Sequence, residues 1–232
     1  MIVVAQQSLK NKILKKTFFF FFLVIISPPF LFGQESIEDI SFNVYRNDSK
    51  IGYHKLNFKR EEDRIIASIE IKFKVNFLGF TLYDYFHKNK EVWIADSLFK
   101  LKTNTNNNGD QLYCNVKKKA ERFVIDGENN KITTKDEPLP SSYWIFDLVN
   151  NEKKRVLNTQ DCSFIDFKIE FLGNEKIYED QLEAMHYKLS GKEFNGDDVN
   201  IDIWYSNSKW VKMIFYKDGS KIDYFLEKYD NK

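Results

Sequence analysis

Apolar and polar residues alternate along most of the chain, and the alternating runs are separated by residues that favour turns. The stretch from residue 199 to residue 226 repeats this pattern three times, with Asn207-Ser208-Lys209 and Asp218-Gly219 between the runs. Successive side chains of a β-strand point to opposite faces of a sheet, so this alternation predicts strands with one buried face and one solvated face. The stretch is therefore predicted to be a three-stranded antiparallel meander that forms the closing edge of a sheet.

The same pattern extends back to residue 39. The clearest example is the run from residue 65 to residue 75, in which apolar residues from Ile69 onward alternate with Glu70, Lys72 and Lys74. Gly52, in the second predicted strand, indicates a bulge or a close approach of two backbones. The pattern predicts about ten to twelve strands, more than a flat sheet holds without curling. The predicted fold is all-β with minor α content, as a single strongly curved antiparallel sheet or half-open barrel.

One segment breaks the alternation. Residues 138–149 begin with Pro138-Leu139-Pro140 and continue with a wide apolar surface that includes Tyr143, Trp144 and Phe146. Ser141 or Ser142 is a suitable N-cap for a helix. The segment is therefore predicted to be one short helix packed against the concave face of the sheet.

Composition indicates a folded chain with a substantial core. Hydrophobic residues make up 43% of the sequence and charged residues 30%, which is typical of globular domains and not of disordered chains. Aromatic residues reach 16%, which favours strands and a core of large rings. Residues 34–232 are predicted to form a single antiparallel β domain without a long linker.

The first 33 residues have the composition of a secretory signal peptide. Lys10, Lys12, Lys15 and Lys16 precede an uncharged apolar run from Thr17 to Ile26, which ends at Ser27-Pro28-Pro29. Cleavage is predicted after Gly33, and the expected location is the periplasm. A secreted protein, or one tethered by its uncleaved N-terminus, is the alternative. The apolar run is short for a spanning helix, so no stable membrane span is expected after cleavage.

Removal of this segment changes the sign of the net charge. The whole chain carries +1, whereas residues 34–232 hold 31 basic and 34 acidic residues, a net charge of −3. A mildly acidic domain with interspersed charges gives no reason to expect a nucleic-acid partner. Local basic runs such as Lys117-Lys118-Lys119 are interpreted as solvated turns.

Two cysteines remain in the exported chain, Cys114 and Cys162. An oxidising compartment allows one disulfide between them. Because sequence does not show whether their α-carbons are close enough, two separately buried thiols remain the alternative.

The sequence contains no pattern that predicts catalysis, a metal site or a cofactor. His54, His87 and His186 fall on three separate predicted strands, and no pair of them has the spacing of metal ligands. Nucleophile and phosphate-binding motifs are also absent from the sequence. Asp84 and Glu91, within strands, would be the inward carboxylates of a hydrolase together with His54, which is the least favoured function. The protein is not predicted to be an enzyme.

Aromatic residues on the predicted strands suggest a ligand cavity, because such pockets combine apolar walls with a few polar groups. Trp93, Trp144, Trp204 and His54 are the predicted ligand-binding residues. The alternative is that these rings only fill the core of a large curved sheet.

Several short pieces, in this order, resemble a known family. They are Ile51-Gly52-Tyr53-His54, Glu91-Val92-Trp93, Ser142 with Trp144, Trp204-Tyr205, Trp210-Val211-Lys212 and Asp218-Gly219 with Tyr224. The chain resembles an uncharacterised bacterial family of exported proteins, classified only as a domain of unknown function. More distantly, it is similar to periplasmic curved half-barrel proteins of the lipoprotein-carrier type. Tyr143-Trp144-Ile145 departs from the family pattern, and the resemblance carries no catalytic residue.

The function predicted from these observations is a periplasmic binding or carrier module for a lipid or another apolar ligand. A structural or interaction protein of the cell envelope, with a filled core and an envelope protein as partner, is the alternative.

Overall fold

The computed structural model describes residues 37–217 and 219–230. The predicted signal peptide lies outside these residues. The described chain forms one sheet of fifteen strands, which confirms the all-β prediction. No helix in this part of the chain has both the length and the apolar character needed to cross a membrane.

The strands of the first half are ordered as in the sequence. They are β1 Ile40–Arg46, β2 Ser49–Glu61, β3 Arg64–Phe77, β4 Phe80–Ile94, β5 Ser97–Asn107, β6 Asp110–Lys119, β7 Arg122–Gly127 and β8 Lys131–Thr134. Several hairpins turn through two residues that both have positive φ, as in Asn47 (46°) and Asp48 (68°). Turns of this kind match the right-handed twist of the strands they connect.

The second half adds seven strands. They are β9 Leu139–Pro140, β10 Lys153–Leu157, β11 Phe164–Ile177, β12 Leu182–Lys192, β13 Asp198–Ser206, β14 Lys209–Lys217 and β15 Ser220–Leu226. The prediction of ten to twelve strands was too low. The three strands that it missed, β8, β9 and β10, have two to five residues each, too few to show alternation.

The first and last strands lie side by side in the middle of the sheet. β1 pairs antiparallel with β15, and the sheet runs outward to β8 on one side and to β9 on the other. Only the short β9–β10 pair is parallel. The prediction that the meander of residues 199–226 forms the closing edge was therefore wrong, because β15 finds its second partner in β1.

The sheet curls so that one of its faces is enclosed. Rings on strands that are not neighbours meet on this face: Phe42 of β1 and Trp210 of β14 have centroids 4.4 Å apart, and His54 of β2 lies 5.2 Å from Trp210. The two edge strands of the described sheet do not pair with each other, so it remains open. These observations confirm the prediction of a strongly curved, open sheet.

The predicted helix of residues 138–149 was wrong. Within this segment only Phe146–Val149 is helical, as a single 3-10 turn, and no α-helix of the described chain packs against the sheet. Pro140 lies in β9, and Tyr143 has φ 61°, a conformation that ends any α-helical segment. The segment instead crosses the enclosed face as an irregular chain whose Tyr143, Trp144 and Phe146 pack against the core. A second 3-10 turn, Glu227–Tyr229, follows β15.

Gly52 marks a close approach of two backbones, as predicted. A Cβ atom at this position would overlap the carbonyl oxygen of Lys72 in β3. The β1–β2 pairing shifts register between Val44 and Tyr45, next to this point.

A disulfide connects the two halves of the sheet. Cys114 of β6 is bonded to Cys162, which follows β10, and their α-carbons are 4.9 Å apart. Gly127 of β7 allows the loop to approach, because a Cβ atom there would collide with Cys162. Both sulfur-bearing side chains are fully buried in a cluster with Leu157 and Val116.

We expect the loss of this disulfide to lower the free energy of unfolding by about 4 kcal/mol, because the bond closes a loop of 48 residues. Urea titration of the oxidised and the reduced protein measures this difference. The double variant Cys114→Ala/Cys162→Ala, titrated under reducing conditions, is the control and should match the reduced protein. Equal stabilities of oxidised and reduced protein would contradict the expectation.

Candidate functional site

Strand β4 directs a row of polar residues onto the enclosed face of the sheet. Alternation along the strand places Tyr85, His87, Asn89, Glu91 and Trp93 on the same side. The three central members are almost completely buried, with 2%, 3% and 0% of their surfaces exposed. A strand face that is buried is ordinarily apolar, because polar groups lose their hydration there. We call these five residues the β4 polar row.

Glu91 carries the carboxyl group of the row, is fully buried, and is surrounded by N–H groups. The indole Nε1 atoms of Trp93 and Trp144 donate to Oε2 at 2.9 and 3.0 Å, and Asn89 Nδ2 donates to Oε1 at 2.7 Å. Burial raises the pKa of the Glu91 carboxyl, while these donors, together with the nearby Ser142, oppose the rise. Glu91 makes no ion pair with another described residue. Its two oxygens therefore act as acceptors that hold two tryptophans in place.

His87 connects the row to the loops that cover it. Its Nδ1 lies 2.7 Å from Thr105 Oγ1 on β5, and its Nε2 lies 3.5 Å from Thr159 Oγ1 in the loop after β10. The Thr159 amide in turn donates to Ser141 Oγ at 3.1 Å. Burial lowers the pKa of His87 to about 4, so the imidazole is neutral at physiological pH.

His54 lies two strands away and has no hydrogen-bond partner among the described residues at either ring nitrogen, although only 3% of its surface is exposed. The rings of Phe42, Trp210 and Tyr224 surround it. Burial, followed by the proximity of His87, lowers the pKa of His54 to about 3. Asn89 Oδ1 is likewise buried without a partner. Unpaired donors and acceptors of this kind are uncommon in folded proteins and call for an explanation.

A group of tyrosines lies on the same enclosed face. Burial raises the pKa of Tyr85, Tyr143 and Tyr224, and in each case a neighbouring tyrosine or carboxyl group raises it further. Burial and, after it, the proximity of Tyr85, Tyr143 and Tyr83 raise the pKa of Tyr224. The enclosed face therefore offers neutral hydrogen-bonding groups between aromatic walls.

Two of the predicted ligand-binding residues are in direct contact. The Trp93 and Trp144 rings meet edge to face with centroids 5.7 Å apart, and both bind Glu91. His54 lies on the same enclosed face, in its own aromatic surroundings. The structure thus brings three of the four predicted residues to one face of the sheet.

Trp204 lies on the opposite, outer face. Its ring stacks on His186 at 4.1 Å, its Nε1 donates to Glu175, and Lys212 Nζ lies 4.9 Å from its centroid. His186 also contacts Asp202, with 2.9 Å between Nε2 and Oδ1. No three His, Cys, Asp or Glu side chains among residues 37–217 and 219–230 are arranged to hold a metal ion.

Sequence reasoning did not select His87, Asn89 or Thr159 for the site. The signal for the first two was present, since both share the alternation of Glu91 and Trp93 along β4. Thr159 gave no such signal, because it reaches His87 from a loop 72 residues further along the chain. Asp84, the other carboxylate considered for a hydrolase, alternates with the row and lies on the outer face.

The family model described as "Domain of unknown function (DUF6134)" matches residues 42–227. The chain belongs to this family. The resemblance to an uncharacterised bacterial family is thereby confirmed. A search of curated proteins finds no match.

Among solved structures, the chain is similar to a crystal structure described as a beta-barrel-like protein of domain of unknown function DUF1849 from Brucella abortus. The TM-score is 0.60 at 7% sequence identity, and the match covers 81% of this chain and 94% of that chain. At this identity the likeness shows the fold alone.

We expect the buried histidines to make the protein sensitive to acid. Below pH 6.5 the unfolded chain binds protons at His54 and His87, whereas the folded protein binds them only near pH 3 and pH 4. Each histidine should therefore remove about 1.4 kcal/mol of unfolding free energy per pH unit as the pH falls through this range. Urea titrations between pH 7.5 and pH 4.5 measure the slope of the unfolding free energy against pH.

Glu91 acts in the opposite sense, because its raised pKa lets the folded protein bind a proton first. The slope of the unfolding free energy against pH is therefore measured in the Glu91→Gln variant and in the double variant Glu91→Gln/His54→Phe. The second substitution should remove one histidine's share of the slope. An unchanged slope would show that His54 accepts a proton in the folded state.

Proposed function

We propose that this protein is an exported envelope protein whose enclosed sheet face binds a ligand with an apolar body and a hydrogen-bonding head. The observation that carries the proposal is His54, which is buried among three aromatic rings and whose two ring nitrogens bond to none of residues 37–217 and 219–230. Leaving a buried donor or acceptor without a partner costs about 1 to 3 kcal/mol. A ligand that bonds to the imidazole would remove this cost.

The surroundings of His54 suggest the chemistry of such a ligand. Phe42, Trp210 and Tyr224 offer apolar ring surface for a hydrocarbon body, such as that of a lipid. A neutral imidazole has one donor and one acceptor, so it suits a hydroxyl, an ester or a protonated acid as the head. Asn89 Oδ1, two strands away, adds an acceptor on the same face. The low pKa of both histidines argues against a head that needs a positive partner.

Export to the periplasm is part of the proposal, with a secreted or tethered protein as the alternative. The disulfide between Cys114 and Cys162 supports it, because structural disulfides persist in oxidising compartments and are uncommon in the cytosol. No catalytic role is proposed. Glu91, the inward carboxylate of the hydrolase hypothesis, already accepts hydrogen bonds at both oxygens.

The test is mass spectrometry of material that co-purifies with the full-length protein after expression with its N-terminal segment. We expect a small molecule or lipid to be bound to the wild type and reduced about tenfold in His54→Phe, which loses both ring nitrogens but keeps the aromatic packing. Glu183→Gln, an exposed position on β12, is the matched control and should retain the ligand.

His54→Phe should also unfold at higher urea concentration than the ligand-free wild type, because it removes an unpaired polar group. This measurement shows that the variant folds. A protein that carries no ligand, or a ligand retained equally by His54→Phe, would contradict the proposal and favour a filled core.

A second candidate, an interaction protein of the envelope, is favoured by the β3–β4 hairpin. The β2–β3 pairing begins at Gly52–Phe73 and the β4–β5 pairing at Tyr85–Asn107, so residues 74–83 have strand partners only within the β3–β4 hairpin. Leu78, Phe80 and Leu82 at its end are 81%, 74% and 55% exposed. Exposed apolar patches of this kind mark binding surfaces.

For this candidate, a photo-crosslinking residue at position 80 in cells should form one discrete adduct with another envelope protein. The same residue at Lys188, which is exposed on β12, is the control and should not form it. Adducts at both positions, or none at either, would exclude a specific protein partner at the hairpin.

A further inference from the structure

A groove of about 760 Å³ on the outer face of β2 to β5 is lined by six cationic side chains and one carboxylate. The cations are Lys55, Arg64, Lys88, Lys90, Lys100 and Lys102, all exposed, and the carboxylate is Glu70. They come from four strands, each of which turns its other face to the enclosed core. We call this surface the basic groove.

The pairing register places like charges directly opposite each other. Lys90 of β4 is the partner of Lys102 on β5, and Lys100 is the partner of Lys117 on β6. Like charges at directly paired positions destabilise a sheet. These two exposed pairs therefore oppose folding slightly, and an anion bound across them would remove this cost.

The carboxylates of the described chain offset part of this charge, because Glu70 is the direct pairing partner of Lys55 on β2 and of Lys88 on β4. Glu70 lies 3.6 Å from Lys88 Nζ, but Lys90, Lys100 and Lys102 make no ion pair with any described residue. Residues 34–232 carry a net charge of −3, so the groove is a local concentration of positive charge on a mildly acidic domain. Such a concentration attracts anions of extended shape, because several cations act on them at once.

The other residues that line the groove indicate what kind of anion fits. Asn57, Ser68 and Asn104 place neutral amides and a hydroxyl between the lysines, and Ile66 and Val92 form an aliphatic floor. No aromatic residue lines the groove, so the stacking that holds single-stranded nucleic acid has no platform. Amides and hydroxyls bond to sugar hydroxyls, and lysine ammonium groups bond to carboxylate or sulfate oxygens.

We propose that the basic groove binds a linear acidic polysaccharide. Lysines on alternate residues of neighbouring strands present charges in two directions, about 4.8 Å apart between strands and about 7 Å apart along a strand. A chain with an anionic group on successive sugars meets several of them at once. This site lies on the opposite face of the sheet from the ligand site proposed above and is independent of it.

The experiment measures binding of the full-length protein to polygalacturonate and to heparin, as carboxylated and sulfated probes, by titration calorimetry at several salt concentrations. We expect Lys90→Gln/Lys102→Gln to bind both about tenfold more weakly, with a shallower salt dependence. Lys176→Gln/Lys188→Gln, which removes two exposed lysines from β11 and β12, should bind within about twofold of the wild type.

A second variant separates glycan recognition from general attraction. Asn57→Ala/Asn104→Ala keeps every charge, and it should weaken polygalacturonate binding but leave binding to single-stranded DNA unchanged. Near-UV circular dichroism and urea titration verify that each variant folds.

Three results would overturn the proposal. The first is the absence of binding to either glycan. The second is equal binding to glycans, DNA and phosphatidylglycerol vesicles with no effect of the asparagine variant, which would show a general anionic attraction. The third is an equal loss in both lysine double variants.

Discussion

The backbone pairing of the first strand with the last is the interaction on which the rest of this architecture depends. Without β1 against β15, the chain would be two separate antiparallel meanders, each with a long open edge. The pairing brings Phe42 into contact with Tyr224 on the enclosed face, and Trp210 of the next strand completes the contact. The disulfide joins the outlying parts of the same two halves. Two connections, one at the centre of the sheet and one near its ends, thus hold the curl that encloses His54.

The same curl explains how so many polar groups can be buried together. Strand β4 presents its row of polar side chains, and two of their partners, Trp144 and Thr159, come from loops that follow later in the chain. Trp144 reaches Glu91 and Thr159 reaches His87 from segments on either side of β10, close to Cys162. Networks of this kind are stable only when nearly every member has a partner. Among the described residues near this network, the two His54 ring nitrogens, Asn89 Oδ1 and Ser142 Oγ are buried without a hydrogen-bond partner, and they are consequently the best indicators of a ligand.

Much of the fold follows from local pattern, whereas the arrangement of the site does not. Alternation was sufficient to predict twelve of the strands, because long strands with one wet face repeat every two residues. It could not show that β1 and β15 meet, since this contact spans nearly the whole described chain. The helix prediction was wrong because the apolar residues near Ser141 and Ser142 have a pattern that is compatible with a helix. The positive φ of Tyr143, which ends a helix, is visible only in the structure.

The sequence indicated where Trp204 lies, but it did not indicate the basic groove. Trp204 shares the alternation of Asp202, so the sequence already indicated an outer position for it. The basic groove gave no such signal, because each lysine is an ordinary outward residue of its own strand. Only the register of Lys90 with Lys102, and the alignment of four strands, makes them one surface.

An open sheet of fifteen strands would ordinarily be at risk of pairing edge to edge with another molecule, because unpaired amides at an edge are a template for a further strand. Here the outermost strands are the shortest ones. β8 has four residues and begins with Lys131, and β9 has two, one of which is Pro140, with no N–H to donate. The long strands all lie inside the sheet, with a neighbouring strand on each side, and apart from strand ends such as the β3–β4 hairpin most of their length is paired on both sides. The open sheet therefore offers a further strand only a few backbone groups at its described edges.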